Sequence, residues 1–285
     1  MENELETFVN NSNFVLPGLV LFILAFWLSF TLLGYSVFKV ATGASNFLFN
    51  QHILFHYRLT IQEKGTLEYN NSFYRNLNAR NKRKFECNVK YFIHKIIFEG
   101  RGGLNFTADM KLLVAGTATQ IAFGHFPTIY EHFRRIVIYP EKYFSATTQR
   151  YHLGEVQTNG VIKLSSKAFI EGAQIKNDGV HVGYHEMAHA LKIEDSTLHD
   201  TEHCFMDKDA LRNFHHYATN RIQKHSGNAF MRDYAFSNSE ELFAVSIEYF
   251  FEMPNQLRKN EPEIYNYLTI ILNLDPINHQ NPIVR

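Results

Sequence analysis

His185-Glu186-Met187-Ala188-His189 is an H-E-x-x-H pentapeptide, and its reading decides the fold. On a helix, residues three and four apart share a face, so His185 and His189 present both imidazoles the same way. That spacing lets two neutral imidazole nitrogens bind one Zn²⁺ at about 2.0–2.1 Å. Glu186 lies beside the first histidine and can act as general base toward a water held there. The helix has support of its own. Val180, Tyr184, Met187, Ala188 and Leu191 recur at helical spacing and predict an apolar back face that aims the histidines into a cleft. In a chain with 15 histidines the pentapeptide can also arise by chance, as a buried helix with two satisfied imidazoles. A catalytic zinc needs a third protein ligand and an open position, so the remaining sequence has to supply a third donor.

Working outward, the 28 basic and 28 acidic side chains balance over 285 residues, which gives no electrostatic reason to expect a nucleic-acid partner. The front of the chain is different. Residues 14–38 carry no charge and run Phe14-Val15-Leu16-Pro17-Gly18-Leu19-Val20-Leu21-Phe22-Ile23-Leu24-Ala25-Phe26-Trp27 before continuing through Leu28, Leu32, Leu33, Tyr35 and Val37. About 20 apolar residues span a bilayer core, so the run reads as one transmembrane helix in contact with lipid. The leader Met1-Glu2-Asn3-Glu4-Leu5-Glu6 is acidic, which argues against a signal peptide with its basic n-region. Lys39 follows the run and no Lys or Arg precedes it, so the expected orientation is single-pass in the inner membrane with the main domain cytoplasmic. Two cysteines, Cys87 and Cys204, are too few for a disulfide framework. The expected organisation is a tail and anchor over 1–40, a juxtamembrane and helical lead-in over 41–95, and a peptidase domain over 96–285.

Arg80-Asn81-Lys82-Arg83-Lys84 leads into Phe85, Val89, Phe92, Ile93 and Ile96, which reads as the solvated start of an amphipathic helix. Gly100-Arg101-Gly102-Gly103 is a turn; it lacks the Gly-Lys-Ser/Thr ending of a phosphate loop. A second helix is expected from Met110 to about Ile121. Arg135-Ile136-Val137-Ile138-Tyr139-Pro140 and Gly160-Val161-Ile162-Lys163-Leu164-Ser165 read as strands, and one of them is expected to be the edge along which an extended peptide pairs.

Beyond His189 the metzincin extension would need Gly at 192 and His at 195, where the chain has Lys192 and Asp195. Third-ligand candidates are therefore Glu194, Asp195, His199, Asp200, Glu202, His203, Glu240, Glu241 and Glu248. The last three lie on a helix expected to start at Ser237-Asn238-Ser239 and to end at Pro254. Ser237-x-x-Glu240 has capping-box spacing. Glu241 and Glu248 share a face with bulky apolar neighbours, where a carboxylate needs a compensating charge or metal, and periodicity does not choose between them.

These residues resemble the zinc peptidases similar to Mlc titration factor A, whose catalytic core also resembles that of anthrax lethal factor. The resemblance runs through Ile138-Tyr139-Pro140, Val161-Ile162-Lys163-Leu164-Ser165 and Tyr184-His185-Glu186-Met187-Ala188-His189-Ala190-Leu191. It continues in Tyr234-Ala235-Phe236-Ser237-Asn238-Ser239-Glu240-Glu241-Leu242-Phe243-Ala244-Val245-Ser246-Ile247-Glu248-Tyr249-Phe250-Phe251, Pro254, Pro262-Glu263-Ile264-Tyr265 and Asp275-Pro276, covering roughly residues 70 to 280. It implies Glu241 as the third zinc ligand, in the gluzincin manner, and Tyr234 as the tyrosine facing the water or the oxyanion. The chain departs from that family at Lys192-Ile193-Glu194-Asp195-Ser196, where an Asp- and Gly-rich loop is usual, and in its apolar N-terminal run.

The fold implied is α+β. A small sheet carries the two strands against the H-E-x-x-H helix, and a helical C-terminal half delivers Glu241 across the cleft. The activity implied is zinc-dependent hydrolysis of a peptide or protein substrate, with aminopeptidase and endopeptidase action both compatible with the sequence. A membrane-tethered protein of the same fold that sequesters a regulatory partner is the rival class; pure binding would not require Glu186.

Overall fold

The computed structural model describes residues 27–29, 31, 33, 56–125, 130–197, 205–225, 229–278 and 282–284. The chain divides into two compact units, residues 1–52 and residues 53–285. In the first, Trp27, Leu28, Ser29, Thr31 and Leu33 are helical, and the rest of the apolar run 14–38 lies outside the described residues. Among the described residues no helix is long and apolar enough to cross a membrane.

The second unit opens with helices α1 (Ile61–Asn70), α2 (Ser72–Asn76) and α3 (Ala79–Lys95). Short polar side chains start each of them: Thr60 with Glu63 forms a full capping box, and Asn71 and Asn78 accept from the third residue of α2 and α3. Strand β1 (Ile97–Gly100) leads through the Arg101–Gly103 turn into α4 (Ala108–Ile121). Gly102 and Gly103 hold φ of 61° and 80°, the left-handed region that glycine enters without steric cost. Strands β2 (Arg135–Tyr139), β3 (Tyr143–Ser145), β4 (Arg150–His152), β5 (Gly154–Gln157) and β6 (Val161–Ser165) follow. The remaining helices are α5 (Ser166–Gln174), α6 (Val182–Thr197), α7 (Lys208–Gln223), α8 (Ser239–Glu252), α9 (Pro254–Asn260) and α10 (Pro262–Ile271). A 3₁₀ turn, Asp233–Ser237, precedes α8.

The main sheet has the order β1-β2-β6-β5. β1, β2 and β6 are parallel, with Ile97 beside Arg135 and Arg135 beside Val161. β5 runs antiparallel to β6, placing Gly154 beside Leu164. The two strands expected from the sequence are thus both interior, and the edges are β1 and β5, neither of which the sequence reading identified. Ile136, Val137 and Ile138 are buried on both faces of β2, and Ile162 and Leu164 are buried in β6, as suits central strands. β3 and β4 form a separate hairpin.

Helix α6 lies between the sheet and α8. Met187, Ala188 and Leu191 are fully buried in the core with Ile162, Leu164, Phe243 and Phe250, and each of these side chains larger than alanine contributes about 1.5–3 kcal/mol. Val180, expected on the same back face, precedes the helix and is half exposed. The helices of 61–95 belong to this same unit, with α3 lying along α4.

Candidate metal centre

Two helices build the centre. α6 presents His185 and His189 one turn apart, and their Nε2 atoms lie 3.2 Å from each other. α8 brings Glu241 in its first turn: Oε2 is 3.1 Å from His185 Nε2, and Oε1 is 3.7 Å from His189 Nε2. Asn238 fixes that turn, since its side chain accepts from the backbone N–H of both Glu240 and Glu241. Asn238, not Ser237, is therefore the N-cap. Ser237 Oγ instead donates to the Tyr234 carbonyl, and Glu240 pairs with Lys192 at 2.5 Å, so the expected capping box is not formed.

One donor atom from each of His185, His189 and Glu241 lies within 4.8 Å of the others, which makes room for one shared ion. The local chemistry fits a cation. Glu241 Oε2 is buried without a hydrogen-bond partner of good geometry. Burial alone would lower the His185 imidazole, but Glu241 and Glu248 outweigh it and hold it up at about 10. Burial would raise the Glu241 carboxyl, but His185 and His189 hold it well below the usual range. Both shifts say that this cluster favours positive charge. Two nitrogen ligands and one carboxylate match a catalytic zinc set with an open position.

Glu248 lies on the opposite side of His185. Its Oε1 is 2.9 Å from Nδ1, so it orients the ring rather than joining the cluster. The other acidic candidates have protein donors. Glu194 accepts from the backbone N–H of Glu131 and His132, and Asp195 from those of Phe205 and Met206. His199, Asp200, Glu202 and His203 lie outside the described residues. Residues 192–196 are not a loop at all; they continue α6 to Thr197.

A cleft of about 550 Å³ opens over the cluster, lined by β5, α6, Tyr234 and the start of α8. Glu186 faces it, buried, and burial pushes its carboxyl up to about 8. Gly154 of β5 is packed so closely that a Cβ there would stand 2.4 Å from Glu186 Cγ. Tyr234 is half exposed, with its ring centroid 6.0 Å from that of His185. Burial first, and then Glu241, raise its hydroxyl to about 12, so it stays protonated and able to donate.

Sequence reasoning missed four neighbours. His181 starts α6: its Nδ1 accepts from the Tyr184 N–H, and burial keeps the ring neutral by lowering it to about 4. Arg232 pairs with Glu248 at 2.5 Å. Gly154 and Glu155 line the cleft from the edge strand. Only Gly154 left a trace in sequence, as a glycine between strand-forming residues; the others join through long-range packing.

The profile of the glucose-regulated metallo-peptidase M90 family matches residues 49–271. The chain belongs to that family. It is also similar to an uncharacterized protein of Synechocystis sp., 23% identical over 222 residues, which covers 72% of this chain and 81% of that protein. Membership of a metallopeptidase family implies a metal, and the His185, His189, Glu241 cluster offers donors for one.

Proposed function

We propose that this metallopeptidase hydrolyses peptide bonds with zinc held by His185, His189 and Glu241. The observation that carries the reading is the convergence of those three side chains, from two helices, on the floor of a cleft. Zinc bound there would polarise the substrate carbonyl and acidify water. Glu186 takes a proton from the attacking water on its carboxylate and passes it to the leaving amine. Its raised pKa suits a base working near neutrality. The Tyr234 hydroxyl donates to the oxyanion that develops on the substrate carbonyl. The exposed edge of β5 offers main-chain groups to an extended peptide, which would run over Gly154 and Glu155 toward Glu186. The uncharged run 14–38, with Lys39 after it and no Lys or Arg before it, supports a single-pass anchor with the peptidase unit cytoplasmic.

The test is metal analysis of the purified protein, followed by cleavage of a peptide library with and without chelator. One zinc per chain and chelator-sensitive cleavage are expected; cleavage indifferent to metal removal would sink the reading. For the anchor, protease added to intact cells should spare residues 53–285.

A further inference from the structure

We propose that the buried Glu248 and the half-buried Arg232 form a clasp that positions two site residues at once: His185 through its Nδ1, and Tyr234 through the backbone that Arg232 anchors. This rests on the reading of His185 as a metal ligand and Tyr234 as an oxyanion donor.

Glu248 is 1% exposed, yet it collects three donors, two from the start of α6 and one from the segment before α8. His185 Nδ1 lies 2.9 Å from Oε1, the His181 backbone N–H reaches Oε2 at 2.5 Å, and Arg232 Nη2 reaches Oε1 at 2.5 Å. A buried carboxylate needs such compensation, and here a guanidinium and a backbone N–H, groups that can only donate, both point at it. With Glu248 accepting from its other two partners, His185 Nδ1 is the nitrogen placed to donate to it at 2.9 Å. The remaining nitrogen, Nε2, faces His189 and Glu241 and is the one left to offer a lone pair to a bound metal. Glu248 thus sets the tautomer and the ring plane of a ligand it shares with the metal.

Arg232 reaches further. Its other guanidinium nitrogen, Nη1, donates to the Gly179 carbonyl in the turn that leads into α6. That turn is fixed independently, because the Gly179 N–H donates to Glu252 Oε2 at 2.9 Å. Gly179 holds φ +71°, and a Cβ there would meet the Tyr249 ring at 2.4 Å, so the turn admits only glycine. The Arg232 backbone in turn opens the 3₁₀ turn that carries Tyr234, with the Ala235 N–H returning to the Arg232 carbonyl at 3.0 Å. Tyr234 is half exposed, so this turn, more than packing around the ring, decides where its hydroxyl sits. Arg232 and Glu248 are positioning residues: neither faces the cleft, and both act through residues that do.

The experiment uses the full-length chain and three readouts: zinc affinity by competition with a chromophoric chelator, melting of the metal-free protein, and turnover of a cleaved peptide. Glu248→Gln should weaken zinc by about 10–100-fold. Arg232→Gln should do the same and also lower turnover at saturating zinc. Adding Tyr234→Phe to Arg232→Gln should cost little more, because the hydroxyl is already misplaced. Arg232→Lys restores a charge beside Glu248 but cannot span to Gly179. It should recover zinc affinity without recovering turnover, a split that loss of fold stability would not produce. Wild-type zinc affinity in folded Glu248→Gln, or a full additional loss from Tyr234→Phe in the Arg232→Gln background, would overturn the clasp. A wild-type chain with no zinc affinity would instead overturn the metal assignment beneath it.

Discussion

His185 has two nitrogens, and the protein treats its two sides in opposite ways. On the Nδ1 side, Glu248 sits in the interior with a guanidinium, a backbone N–H and an imidazole all donating to it. On the Nε2 side, Glu241 meets two imidazole edges, and its buried Oε2 finds no hydrogen bond of good geometry. The two carboxylates are seven residues apart on one helix, so composition and periodicity treat them alike. The difference lies in what surrounds each. A carboxylate saturated by protein donors is a structural anchor, whereas one grouped with two imidazoles, with a buried oxygen left without a good hydrogen bond, is arranged for a cation.

The largest test of this contrast is Glu241→Gln. Its zinc affinity should fall by more than the roughly 10–100-fold expected of an outer partner, and peptide cleavage should vanish with it. Glu240→Gln and Glu194→Gln, whose carboxylates already have protein partners, should keep zinc. Full zinc content in Glu241→Gln would break the comparison outright. Glu186→Gln comes next and separates chemistry from metal binding. Turnover should drop by about 10²–10⁴ while zinc content is unchanged. Tyr234→Phe keeps the ring and removes one donor, so kcat should fall by about 10²–10³ with zinc and melting temperature held. Wild-type turnover in that variant would leave Tyr234 a surface aromatic.

Smaller effects probe how tightly each side is built. Gly154→Ala drives a methyl against Glu186 and should cost about 1–3 kcal/mol of stability as well as activity, read by denaturant unfolding. An unperturbed variant would mean that the edge strand yields freely. On the buried side, burial first, and then Asp178, push the Glu252 carboxyl up to about 8 from an ordinary 4.5. The folded state therefore keeps a proton that the unfolded chain has released. Its contribution is fully present below about pH 4.5 and is lost as pH rises through about 8. The metal-free protein should melt lower at pH 9 than at pH 5, and Glu252→Gln should shrink that drop by about a few degrees. An identical pH slope in the variant would remove Glu252 from the account.

The H-E-x-x-H helix, the helices over 79–95 and 108–121, the strands at 135–139 and 161–165 and the Pro254 stop were all legible in sequence. Each is a local pattern, in which period, cap or breaker lies within a few residues. The third-ligand candidates could be narrowed to a carboxylate on the 239–252 helix, with family resemblance favouring Glu241. What only the tertiary structure decided is which side of His185 each carboxylate takes. It also placed β5 at the edge, made Asn238 the cap in place of Ser237, and joined Arg232 to Glu248 across 16 residues of chain. Those outcomes depend on the angle at which two helices cross and on which strand pairs last. Residues 185 and 248 meet only after the core between α6 and α8 has closed, and no spacing along the chain encodes that approach.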